Sequence, residues 1–136
     1  SLFALHALSI KVIVHLILGL PHETREMMSA SVQAIANLPV WGIKLQLLHV
    51  LSGTDLAAYY EKTHFPVFSM DEYCEMIIDC LELLPPEMVI HRIPGDGPKD
   101  LLIAPMCSTG KRTVLNQIHR RLKERNTYQG RLATKR

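Results

Sequence analysis

The sequence lacks most of what would declare a catalyst. It contains no G-x-S-x-G, no H-E-x-x-H, no Gly-Lys-Ser/Thr phosphate loop and no coherent Ser/His/Asp set. Those absences exclude the common hydrolase, zinc-protease and P-loop readings and leave catalytic residues unassigned. Cysteine is scarce: Cys74, Cys80 and Cys107 are the only three, and their spacing is not that of a metal site. Cys74 and Cys80 fall on one predicted helix but point in different directions, so they cannot bridge each other. They read as core thiols in a reducing, cytoplasmic compartment. Aromatic residues make up only 6% of the chain, and Tyr128 alone does not build a base-stacking platform.

An uninterrupted apolar run is also missing. Leu2 to Leu20 comes nearest, but it holds His6, Ser9, Lys11 and His15. A lysine at a bilayer centre costs about 3 kcal/mol. The stretch therefore predicts two soluble core elements and no membrane partner. No secretory signal is read either, since a positively charged start and a small-residue cleavage site are both missing.

What is present is enough for one domain. The chain has 136 residues, 48% of them hydrophobic, which argues against disorder over most of its length. Its net charge of +2 is unevenly spread. Residues 1–110 hold six Lys and Arg against twelve Asp and Glu, a net of −6; residues 111–136 hold nine against one, a net of +8. Ser1 to Leu8 has helical apolar spacing without a cap or polar lead, so the chain reads as a fragment.

The pattern alternates. Residues 1–8 predict a helix end and residues 10–18 a strand, apolar on both faces as covered parallel strands are. A helix follows over 25–38, with Met28, Val32, Ile35 and Leu38 as its buried stripe. A second strand spans 43–50 and a short helix 55–62. Ser69-Met-Asp-Glu72 matches a capping box for a helix over 73–84. Residues 88–93 predict a third strand, Pro94–Pro98 an irregular loop, and 101–104 a short apolar piece. A basic helix covers 111–125, with Val114, Leu115, Ile118 and Leu122 inward, and the residues after Asn126 predict a loose tail. The fold class is α/β: alternating βα units with a parallel sheet and right-handed crossovers, plus a C-terminal basic helix.

Three strands carry polar side chains where a simple buried strand would not. They are His15 on the first, Lys44 and Gln46 on the second, and His91-Arg92 on the third. If they share one side of the sheet, they line a common polar surface, which in a barrel or half-barrel is the lumen. The segment Val12 to Thr24 runs from apolar strand through Gly19-Leu-Pro into helix-starting residues. The C-terminal ends of strands are where ligands sit in such folds, and Gly19 lets a ligand approach the backbone. The Pro94–Pro98 loop reads as an ordered connection, since Asp96 opposes anion binding. His119, Arg120, Arg121, Lys123 and Arg125 on the last helix form either a solvated face or a phosphate-binding one.

At these residues the chain resembles a known family. His15-Leu-Ile-Leu-Gly-Leu-Pro-His-Glu-Thr-Arg-Glu26 is similar to the "HLILGLPGET" segment of the YhcC-like radical S-adenosylmethionine (SAM) proteins. Gly42 to Thr54 resembles their "GIK.HLLHVLKGT" segment, and Leu83 to Arg92 with Gly95 to Pro105 resembles a third signature. The resemblance covers nearly the whole chain and corresponds to the second half of such a protein. It implies part of a partial (β/α)6 barrel whose parent holds a [4Fe-4S] cluster and SAM. The cluster gives SAM an electron, and SAM then yields a 5′-deoxyadenosyl radical that abstracts hydrogen from substrate. The cluster's cysteine motif is absent from this chain, so the resemblance implies an iron-sulfur oxidoreductase parent and an inactive fragment without stable cofactors or a metal site of its own.

The resemblance also implies site residues. Ile17, Gly19 and Glu23 are matched to the radical SAM pattern G-x-I-x-G-x-x-E, whose apolar position packs on the SAM adenine, and His15 stands where that pattern has its first glycine. Related proteins carry an Asp there that contacts ribose. His49 and Val50 match a stretch whose backbone reaches the adenine, and Gln46 lies on the same strand. Residues 1–105 are expected to be barrel and 106–136 the basic helix and tail. Two other readings stand beside this one: an RNA-associated α/β module binding through the basic helix, and a non-catalytic scaffold that self-associates through an exposed barrel edge. The substrate is unassigned.

Overall fold

The computed structural model of the chain describes residues 2–91, 102–104 and 111–133. In chain order its elements are α1 (Leu2–Ala7), β1 (Ile13–Leu18), α2 (Arg25–Ala36), β2 (Gly42–Leu47), β3 (Val50–Leu51), α3 (Asp55–Thr63), α4 (Met70–Leu83), β4 (Val89–His91), β5 (Leu102–Ala104) and α5 (Lys111–Glu124). Arg92, the Pro94–Pro98 loop, Leu101 and Cys107 lie outside the described residues.

β1, β2 and β4 form the expected parallel sheet, in the order β1-β2-β4. Alternation decides what each face carries. On one face Leu18, Ile43, Leu45 and Leu47 are fully buried against Met28, Val32 and Ile35 of α2 and Tyr73, Met76 and Ile77 of α4. Burying one such aliphatic side chain contributes about 2 kcal/mol. The helices begin where short polar side chains satisfy their free amides. Thr24 Oγ1 accepts from Met27 N at 3.1 Å, and Thr54 Oγ1 accepts from Ala57 N at 3.1 Å. Ser69 and Glu72 form the predicted capping box, with both bonds at 3.2 Å.

The second strand departs from expectation. Residues 43–50 do not run as one strand, because β2 stops at Leu47 and Val50 enters a separate antiparallel pair with β5. The cause is a change of parity. Ile43, Leu45 and Leu47 point into the main core, whereas Val50 is buried in a second cluster with Ala57 and Phe65. A strand cannot send both sets inward without breaking its pleat. α2 likewise ends at Ala36, with Asn37 as its C-cap, and Leu38 lies beyond the helix.

The C-terminal segment also departs from expectation, since residues 127–133 are docked. Gly130 N donates to Leu81 O at 2.9 Å and Leu132 N to Glu82 O at 2.8 Å. Gln129 Nε2 donates to the carbonyls of Pro85 and Met88, each at 2.8 Å. The basic helix owes its position to charge as well as to Val114 and Ile118. α4 presents Asp71, Glu75, Asp79 and Glu82 along one side. Arg121 pairs with Asp71 at 2.5 Å and Glu75 at 2.8 Å, Arg125 with Glu75 at 2.8 Å, and Arg25 of α2 with Asp79. Arg121 and Arg125 are therefore turned onto α4, while His119, Arg120 and Lys123 face solvent. Cys74 and Cys80 are both buried, and burial, followed by the charge of Asp79, pushes the Cys80 thiol up to about 12. Among the described residues no helix is long and apolar enough to cross a membrane.

Most of these ion pairs are exposed and contribute little each, but Glu82 differs. Its carboxylate is 4% exposed and accepts from Thr127 Oγ1 at 2.5 Å and Arg131 Nη2 at 2.6 Å. Burial raises its pKa, but the hydrogen bonds from Thr127 and Arg131 and the charges of Arg131 and Arg125 outweigh this and hold it below the usual carboxylate value. Glu82→Ala should cost about 2 kcal/mol in denaturant unfolding. That is less than the loss from a fully buried pair, because Arg131 is 43% exposed. A lowered folded pKa stabilises above the unfolded value of 4.5 and is lost as pH falls through the folded one. The stability gap between wild type and Glu82→Gln should therefore be full at neutral pH and shrink only below about pH 4.5.

Candidate functional site

The face of the sheet away from α2 and α4 carries the polar residues singled out on the strands. Register sets them in rows: Ile13 opposite Gly42 opposite Val89, then His15 opposite Lys44 opposite His91, then Ile17 opposite Gln46. His15, Lys44, Gln46 and His91 thus share one face, as a common polar surface requires. Ile17 is 41% exposed there, an apolar patch beside the amide of Gln46. Hydrophobic surface left open next to a polar group is what an aromatic ligand ring with ring nitrogens would use.

Gly19 sits just beyond β1 with φ +91°, a conformation that glycine alone adopts without strain. A Cβ there would lie 3.0 Å from Cδ2 of Phe68. The turn carries the chain off the sheet face into a cleft of about 590 Å³, lined by Gly19, Glu23, Thr24, Tyr59, Phe65 and Phe68. His22 adopts φ +66° and shares a 2.9 Å hydrogen bond with Tyr59 Oη. Counted from His15, the pattern G-x-I-x-G-x-x-E puts its final Glu at position 22. His22 occupies that place, and Glu23 stands one residue further on.

The predicted site residues therefore fall into three groups. His15, Ile17 and Gln46 share the open face, Gly19 and Glu23 line the cleft, and His49 and Val50 follow the end of β2. The Val50 side chain is fully buried with Phe65 and Ala57, so only its backbone is available. His49 is half-buried, burial lowers its pKa, and its Nε2 is enclosed with no hydrogen-bond partner among the described residues. Tyr59 and Phe68 were not among the predicted site residues. The one sequence signal for them is the apolar Phe65-Pro-Val-Phe68 segment set between two helices.

Among the described residues, no three His, Cys, Asp or Glu side chains come together to hold a metal ion. With Cys74 and Cys80 buried on α4, these residues do not fit an iron-sulfur cluster. They do fit the adenosyl portion of a nucleoside ligand. Ile17 and Gln46 offer apolar surface and an amide near the C-terminal ends of parallel strands, and His49, just beyond β2, an Nε2 unpartnered among the described residues.

Two outcomes follow. Gly19→Ala should lose about 1–2 kcal/mol of stability in denaturant unfolding, and more than Gly53→Ala, where φ is +80° but nothing lies within 4 Å; the difference reports the Phe68 contact. The ring of His49 should titrate below 6.5 in an NMR pH series, because burial disfavours its charged form.

Comparisons with known proteins place the chain in a family. Residues 40–124 match the model of the Radical_SAM C-terminal domain. The chain is 48% identical over 121 residues to YtqA of Bacillus subtilis, covering 89% of this chain and 38% of that protein. It is 29% identical over 115 residues to YhcC of Escherichia coli, covering 85% of this chain and 37% of the relative. It thus spans less than two fifths of the length of either. A solved Elp3 from the archaeon Methanocaldococcus infernus, with its N-terminus deleted, superposes with a TM-score of 0.76 at 18% identity, over 92% of this chain and 29% of that one. That likeness concerns the fold and fits a sheet that is part of a partial barrel. The chain belongs to the Radical_SAM C-terminal domain family and is a YhcC-like radical SAM C-terminal region.

Proposed function

We propose that this region supplies the adenosyl side of the SAM site of a radical SAM enzyme. The observation that carries this is the placement of Ile17 beside Gln46 on the open sheet face, directly below the Gly19 turn. In that role Ile17 packs on the adenine and Gln46 gives a hydrogen bond. His15, one row down, is within the reach of a ribose hydroxyl. His49 and the backbone at Val50 meet the adenine edge, and Gly19 keeps the rim open for the ligand. Glu23 borders the turn from the cleft side.

The strand order supports a larger barrel. Within the described residues β1 is an edge strand, and its Ile13 and Ile17 are 39% and 41% exposed. Exposed aliphatic side chains on an unpaired edge are a liability that a neighbouring strand removes. A preceding strand of a longer protein would complete this edge, and the cluster ligands would come from outside this region. When bound, SAM and its cluster supply one-electron chemistry that removes hydrogen from a substrate. This region's residues bind and orient the nucleoside.

The test uses a longer protein that carries this region, reconstituted with iron and sulfide under anaerobic conditions. It should cleave SAM reductively. Ile17→Asp should weaken SAM binding about tenfold or more, since a carboxylate beside the adenine must be desolvated, while the cluster absorbance stays. Unchanged SAM affinity in both Ile17→Asp and Gln46→Ala would sink the assignment.

A further inference from the structure

We infer that His15, Lys44 and His91 form an oxyanion-binding site on the open face of the sheet, suited to a phosphate or carboxylate group of the ligand that fills the lumen. The inference goes beyond the adenosyl reading: it shares His15 with that reading, but Lys44 and His91 have no part in it.

Register creates the site. His15 pairs with Lys44 and Lys44 with His91, so three nitrogen-bearing side chains lie in one row across β1, β2 and β4. Adjacent strands are about 4.8 Å apart, so the three heads can converge on one small group. A cavity of about 200 Å³ is lined by Ile13, His15, Lys44 and His91. At about 30 Å³ per water-sized group, it has room for a tetrahedral oxyanion and accompanying water.

His91 is built into this wall. Its ring lies 5.6 Å from that of Trp41, which carries Lys11 Nζ 4.9 Å from its centroid. Beneath the ring, a Cβ on Gly42 would come within 3.3 Å of His91 Nε2 and 2.8 Å of Val89 O, so the close packing needs glycine there. Held in this way, His91 Nε2 is buried with no hydrogen-bond partner among the described residues. Leaving a buried ring nitrogen unmatched is costly, and a turn of the ring off Gly42 that let it donate to an anion in the cavity would remove that cost. Among the described residues the row also has no counter-charge. Among the described residues no carboxylate lies within ion-pair distance of Lys44, whereas Arg25, Arg121, Arg125 and Arg131 each have one. An ammonium between two imidazoles, unpaired with any described carboxylate, favours an anion.

The experiment follows the histidine ring signals of the 136-residue chain by NMR while inorganic phosphate, or separately acetate, is added at constant ionic strength set with sodium chloride. Saturable shifts at His15 and His91 are expected. Lys44→Met should weaken the interaction about tenfold or more, His91→Gln should weaken it likewise, and Lys123→Met on the solvent side of α5 should not. Saturation by phosphate alone assigns a phosphoryl group, by acetate alone a carboxylate, and by both a general oxyanion site. The proposal is overturned if neither anion saturates, if chloride reproduces the shifts, or if both Lys44→Met and His91→Gln titrate like wild type.

Discussion

The register of β2 between β1 and β4 governs every other feature. Ile43, Leu45 and Leu47 are fully buried on the helix side, while Lys44 and Gln46 point the other way. A slip of one residue would expose the three aliphatic groups and drive the lysine and amide into an apolar core. Losing three buried aliphatic side chains alone would cost about 6 kcal/mol, comparable with the whole stability of a small domain. The hydrophobic effect on one face thus fixes which polar groups meet on the other. His15, Lys44 and His91 share a row because the residues beside them are buried.

α4 extends this logic outward. Its apolar side carries Tyr73, Met76, Ile77 and Cys80 into the sheet-side core, and its acidic side receives α5 and the segment after it. The charge asymmetry of the chain, acidic body and basic end, is resolved in part within the molecule, since Arg121, Arg125 and Arg131 all meet α4 carboxylates. An expectation of RNA binding then rests on the residues that still face solvent, chiefly Arg120 and Lys123. Charge reversal at Arg121 would report on α5 docking before it reported on any polyanion.

Much of this was legible in the sequence. Alternation and caps gave the order of strands and helices, the capping box at Ser69 and the inward stripe of α5, because each depends on neighbours within a turn or two. The polar residues on three strands were visible too, but only long-range pairing shows that they share a face and a row. The misjudged features were set by distant partners. The tail after Asn126 reads as polar and loose, yet Glu82, forty-five residues earlier, captures Thr127. The break after Leu47 was written in the parity of Ile43, Leu45, Leu47 and Val50, but the run of apolar residues concealed it. No local signal showed the left-handed backbone of His22, which aims its ring at Tyr59 on α3.

The Gly19 turn separates two environments that the linear motif joins. Up to Ile17 the alternate side chains Ile13, His15 and Ile17 belong to the open sheet face, and Glu23 and Thr24 belong to a cleft walled by α3 and the 64–68 loop. Gly19 leaves bare backbone at the end of the sheet face, and a Cβ there would press on Phe68. Any side chain at position 19 would have to displace that ring. Strain and packing at one residue thus couple the order of the cleft to the shape of the rim. Backbone geometry and the Phe68 contact thus require glycine at position 19, independently of what stands at positions 15, 22 and 23.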